Sequence, residues 1–150
     1  MSIKTQTVNM KTLAELLSQD LGYIFGERES GSNGAKCQFH SKARAFLTGL
    51  QKDLGMVGWN IRTNKAGIAV SGEVTLRGLW KSGNGLRVEI SQDLMNNHVL
   101  HYGPINGMND HASGFAVYVP LDTLRQANYA KLVLDFLAFR EDFQDEWTAA

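Results

Sequence analysis

A chain of 150 residues with 43% hydrophobic and 20% charged residues has the size and composition of one globular domain, which excludes a disordered chain. Fifteen Lys and Arg balance fifteen Asp and Glu, so the overall basic excess usual in a nucleic-acid-binding domain is missing. The single cysteine, Cys37, excludes an intrachain disulfide.

The first residues lack the apolar core of a signal peptide, and no uncharged apolar run approaches the ~20 residues that span a bilayer. A cytoplasmic protein with no membrane segment is therefore expected. The charge is polarised along the chain. Residues 1–90 carry twelve basic against seven acidic residues, or +5, and residues 91–150 carry three against eight, or −5.

In chain order, Thr12-Leu-Ala-Glu15 reads as a capping box opening a first helix, with Leu13, Leu16, Leu17 and Leu21 on one face and Gly22 as its stop. A polar glycine-rich loop follows over Gly26–Gly34. Ser41 reads as the N-cap of a second helix whose stripe is Ala43, Phe46, Leu47, Leu50 and Leu54, closed by Gly55.

From Met56 the period changes to two. Val57, Trp59 and Ile61 alternate with Gly58, Asn60 and Arg62, and Thr63–Gly67 is turn chemistry. Ile68, Val70, Val74 and Leu76 then share a face opposite Ser71, Glu73, Thr75 and Arg77, with Gly72 marking a bulge. Lys81–Gly85 is a second hairpin turn, leading to Leu86, Val88 and Ile90 on the apolar side of the next strand. Further strands are expected at Val99–Tyr102 and Phe115–Val119, separated by a loop from Gly103 to Gly114. A final long helix begins at Asp122 and carries Tyr129, Leu132, Val133, Phe136, Phe143 and Trp147 at helical spacing. The fold expected is α+β in a single domain, residues 1–150. An antiparallel meander of four to five strands packs against N-terminal helices and a long C-terminal helix.

Five groups of residues carry chemistry. Cys37 with His40, and His98 with His101, have ligand types at short spacing. On a regular strand, however, residues three apart face opposite ways, so His98 and His101 do not converge. The loop after Tyr102 gathers Asn106, Asn109, Asp110, His111 and Ser113 without a nucleophile motif. Gly26–Lys36 is glycine-rich but departs from the P-loop pattern. Trp80 and Lys81 at a hairpin tip, flanked by Arg77 and Arg87, suit a protein contact or base stacking. Glu141, Asp142, Asp145 and Glu146 form an acidic end that opposes a helix macrodipole and suits a basic partner.

Ser71-Gly-Glu-Val-Thr-Leu76, Leu86-Arg-Val-Glu-Ile-Ser91 and the Gly/Asn/His loop after them resemble the short strands and polar loop of small accessory proteins carried by phages and integrative elements. The resemblance covers residues 67–119. It implies a protein that acts by binding, as anti-CRISPR and anti-restriction inhibitors of host defence do, and it assigns no functional residue.

The residues together point to a non-enzymatic protein-binding accessory or inhibitor protein, with no cofactor and no metal. The expected contact residues are Arg77, Trp80, Lys81, Tyr102, Asn106, Asn109, Asp110, His111, Asp142, Asp145 and Glu146. A protein partner is favoured over nucleic acid or membrane, and the oligomeric state is open. Two alternatives stand beside this: a small metal-assisted hydrolase using His98, His101 and His111, and a weak single-stranded nucleic-acid binder.

Overall fold

Apolar residues at three- and four-residue spacing build the first two helices. The computed structural model of the chain describes residues 3–19, 35–64, 73–92, 98–110 and 116–142. Helix α1 spans Ile3–Leu17 and α2 spans Ala35–Asp53. Thr12 lies inside α1, so the Thr12–Glu15 box does not open it. The buried stripe of Leu13 and Leu17 extends backwards through Met10 to Gln6. A buried glutamine hides that extension in the sequence. Its Nε2 donates to the Phe46 carbonyl at 2.8 Å and its Oε1 accepts from Asn9 Nδ2 at 2.8 Å, which satisfies its polarity inside the core.

Ser41 is likewise interior to α2 rather than its N-cap, because the helix already runs from Ala35 and buries Phe39. Gly55 does end it, with φ +69°. The Gly55 N–H reaches the Lys52 carbonyl at 3.1 Å and the Met56 N–H reaches Gln51 at 3.2 Å, the paired bonds of a Schellman stop. Leu21, Gly22 and the Gly26–Gly34 loop lie outside the described residues.

Five strands follow in an antiparallel meander: β1 Gly58–Asn64, β2 Glu73–Leu79, β3 Gly85–Ser91, β4 His98–Ile105 and β5 Val117–Pro120, paired in that order. Period-two alternation divides them into two faces. Val74, Leu76, Leu86, Val88, Ile90, Leu100, Tyr102 and Val119 join α1 and α2 in one core. Glu73, Thr75, Arg77, Arg87, Glu89 and His101 fall on the other face. β1 is an edge strand, so Trp59 remains 45% exposed, and Val57 just before it 69%, despite their apolar character. Arg44 of α2 donates to the Ile61 carbonyl at 3.2 Å and to Thr63 Oγ1 at 3.1 Å, which occupies part of that free edge. Gly72 and residues 65–70 lie outside the described residues.

The β2–β3 turn is tied to two segments of the helical layer. Trp80 is 2% exposed, and its indole N–H donates to the Leu54 carbonyl at the end of α2, 2.9 Å away. Asn84 donates to the Phe139 carbonyl at 2.7 Å and accepts from the Glu141 N–H at 3.3 Å. Gly85 must be glycine here, since a Cβ would run into the Gly78 carbonyl of the neighbouring strand.

The C-terminal helix is two helices. Pro120 precedes α3, Leu121–Arg125, and Asp122 sits in its first turn, paired with Arg125 at 3.3 Å, rather than capping it. The chain breaks at Gln126–Asn128, and the Asn128 carboxamide accepts from the Lys131 N–H at 3.1 Å to start α4, Tyr129–Leu137. An asparagine that bonds the backbone locally competes with helix continuation. Phe143 and Trp147 lie outside the described residues.

A buried polar chain joins these layers. The Tyr129 hydroxyl donates to Asp53 Oδ2 at 2.6 Å and accepts from Gln6 Nε2 at 3.3 Å, linking α4, α2 and α1. Burial, and then the Asp53 carboxylate, push the phenol far above its ordinary range. Tyr129→Phe removes this donor without creating a cavity. We expect it to cost about 1–3 kcal/mol, read as a lower urea midpoint at unchanged slope; an unchanged midpoint contradicts the role assigned to the network.

Candidate functional site

The strand register arranges the outer face of the sheet in rows. One row runs Asn60, Arg77, Arg87, Gly103, and the next runs Arg62, Thr75, Glu89, His101, Tyr118. A third holds Asn64, Glu73 and Ser91. Three arginines thus stand on three adjacent strands. Arg77 and Arg87 are direct cross-strand partners, an arrangement in which like charges repel.

Residues 106–110 fold over the start of this face. The expected loop from Gly103 begins later, because β4 runs through to Ile105. Asp110 Oδ2 accepts from the Asn106 N–H at 3.0 Å, closing a tight turn. The Arg77 guanidinium donates to the Met108 and Asp110 carbonyls at 3.1 and 3.3 Å. Between this turn and β1 lies a groove of about 520 Å³, lined by Arg62, Arg77, Arg87, Glu73 and Asn109 among others. Arg62 is exposed and has no hydrogen-bond or ion-pair partner among the described residues.

Arg87 is held from the far side. Its NH2 lies 2.5 Å from Glu89 Oε1, and its NH1 lies 2.9 Å from His101 Nε2. Glu89 Oε2 is also 3.1 Å from the same Nε2. A guanidinium only donates, so Nε2 accepts from Arg87 and the imidazole proton sits on Nδ1. The Glu89–His101 approach is then a contact between two acceptors, and becomes an ion pair only on protonation. Burial, and then the Arg87 charge, hold the His101 pKa below its ordinary 6.5, in agreement with the neutral tautomer. Glu73 acts in the opposite direction and His98 adds a smaller lowering influence.

His98 and His101 do share a face, contrary to the sequence expectation. A register shift between His98 and Leu100 lets His98 pair with Pro120 and leaves Val99 as the extra, buried residue. Both imidazoles flank Tyr118, with ring centroids 5.2 and 5.6 Å away. Cys37 and His40 belong to α2, on the opposite side of the sheet. Among the described residues no group of three or more His, Cys, Asp and Glu side chains is placed to hold a metal.

The expected contact residues divide accordingly. Arg77 and Asn109 meet at the groove, and Asp110 shapes its rim. Asn106 is exposed beside them and Lys81 is exposed at the hairpin tip. Trp80 and Tyr102 are core residues, 2% and 6% exposed, so neither is a surface anchor. The Tyr102 ring meets Phe136 and Phe139 edge-on. Asp142 is exposed and pairs with Arg140 at 2.8 Å, away from the groove. His111, Asp145 and Glu146 lie outside the described residues. Sequence reasoning missed Arg62, whose signal was its place in the polar half of β1, and Glu89, a charged residue only 7% exposed. No protein family, curated protein or solved structure matches the chain.

The lowered His101 pKa fixes the sign of a pH effect. The unfolded chain binds that proton more readily, so this contribution to stability is complete above about pH 6.5 and falls as pH drops towards the folded value. Wild type should lose stability more steeply than His101→Gln between about pH 7 and pH 5, measured by urea unfolding. Parallel profiles would show that folding does not lower the His101 pKa, against the buried neutral imidazole assigned here.

Proposed function

We propose that this chain is a non-enzymatic binding protein whose contact surface is the outer face of the sheet, and that its partner is a protein presenting an anionic segment. The observation carrying this is the arginine-lined groove. Arg62, Arg77 and Arg87 converge on one open side of the sheet while the helices occupy the other. Arginine clusters recognise acidic and phosphorylated motifs through planar, multidentate donors.

The groove is polar and lined by three arginines and three asparagines, donors suited to holding an anion, which supports the binding reading. The resemblance over residues 67–119 extends the proposal to an inhibitor from a mobile element, acting on a bacterial defence complex. The arginines, not Trp80, supply the contact, because the indole is committed to the Leu54 carbonyl.

The test is capture of a protein from nuclease-treated bacterial lysate, followed by affinity measurement with that purified partner. Arg62→Glu, exposed on an edge strand, should weaken affinity about tenfold or more, equivalent to roughly 1.4 kcal/mol, without changing thermal unfolding. Lys81→Glu at the hairpin tip should leave affinity unchanged. Undiminished affinity in Arg62→Glu overturns the proposal. Loss of all capture on nuclease treatment transfers the surface to nucleic acid, with the steep salt dependence that phosphate contacts produce.

A further inference from the structure

We infer that the arginine groove is a phosphomonoester site, with the phosphate held by Arg62 and Arg77. The inference rests on the reading of the outer face as the contact surface and specifies what that surface recognises.

Charge placement comes first. Glu89 offsets Arg87 through a 2.5 Å contact. Arg77 is held by two neutral carbonyls rather than a carboxylate, and Arg62 has no partner among the described residues. Two guanidiniums therefore face the groove without an ion-pair partner among the described residues. A phosphomonoester carries about −1.5 to −2 near neutral pH and three acceptor oxygens, matching two guanidiniums better than a single carboxylate does. It would also relieve the repulsion between Arg77 and Arg87 across the β2–β3 pair.

Length and polarity come second. Glu73 also lines the groove, four residues from Arg77 on β2. At about 3.3 Å per residue the two ends stand roughly 13 Å apart along the strand. An anion placed beside Glu73 is repelled, so the anionic group belongs with Arg77. Neutral amides from Asn60 and Asn109 line the groove as well. The volume of about 520 Å³ lies within the range of small-molecule sites. A free nucleoside monophosphate and a phosphorylated side chain of the partner both have this chemistry.

The full chain is titrated by calorimetry with inorganic phosphate, with adenosine 5′-monophosphate, and with a phosphoserine peptide beside the same peptide carrying glutamate. Saturable phosphate binding that falls tenfold or more in Arg62→Gln is the expected result. Tighter binding of the nucleotide than of the phosphopeptide assigns a free ligand, and the reverse assigns a modified partner. No saturable phosphate binding, equal binding by Arg62→Gln, or equal affinity for the glutamate and phosphoserine peptides overturns the site. Those failures leave the protein-binding reading intact if Arg62→Glu still impairs partner capture, and an unimpaired capture removes that reading separately.

Discussion

The hairpin turn at Trp80–Asn84 fixes which side of the sheet is buried. From one short turn, the Trp80 indole holds the last carbonyl of the α2 region and Asn84 holds the chain just beyond α4. These are hydrogen bonds to backbone groups at helix ends, which would otherwise lack partners. With both helix ends tied to the same turn, the helical layer lies on the inner face. The buried Gln6–Tyr129–Asp53 chain then joins α1 to α2 and α4. Removing either polar device leaves unsatisfied groups inside the layer, so each specifies the packing as well as stabilising it.

One-sided burial leaves the outer face to charged chemistry. Strand alternation places Arg62, Arg77, Arg87, Glu73 and Glu89 there as neighbours across strands, though they are distant in sequence. The face is organised rather than merely solvated. Arg77 anchors the 106–110 turn, and Arg87 is oriented by Glu89 and by a neutral His101. The Val99 bulge brings His98 round to the same side, so that both imidazoles contact the Tyr118 ring, His101 edge-on. Fixed guanidiniums lose little freedom on meeting an anion, which favours binding over a flexible lysine surface.

Much of the fold is legible from periodicity. The change to period two at Met56, the Lys81–Gly85 turn and the Gly55 stop all follow from local chemistry that the tertiary structure does not override. The errors share a physical origin. Gln6 is polar yet buried, because a carbonyl from α2 and an asparagine from α1 satisfy it, so α1 is longer than its leucines indicate. Asn128 divides a continuous apolar stripe by capping, which a hydrophobic pattern does not register.

The site was legible only in part. Arg77 and Asn109 are identifiable from the polar halves of a strand and a loop, but their meeting depends on β4 returning beside β3. Trp80 misleads because a tip position in sequence is a covered position in space, once α2 ends beneath it. His98 and His101 mislead because a bulge breaks the two-residue alternation without any glycine to announce it.

In the binding reading proposed above, the outer face meets the partner and the helical face does not. Amide and arginine side-chain chemical-shift mapping of the full chain, with and without the captured partner, tests it most directly. Perturbations concentrated at Arg62, Arg77, Arg87 and Asn109, with α1 and α2 little changed, are expected. Perturbations concentrated on α1 and α2, with the arginine side chains unmoved, would contradict it.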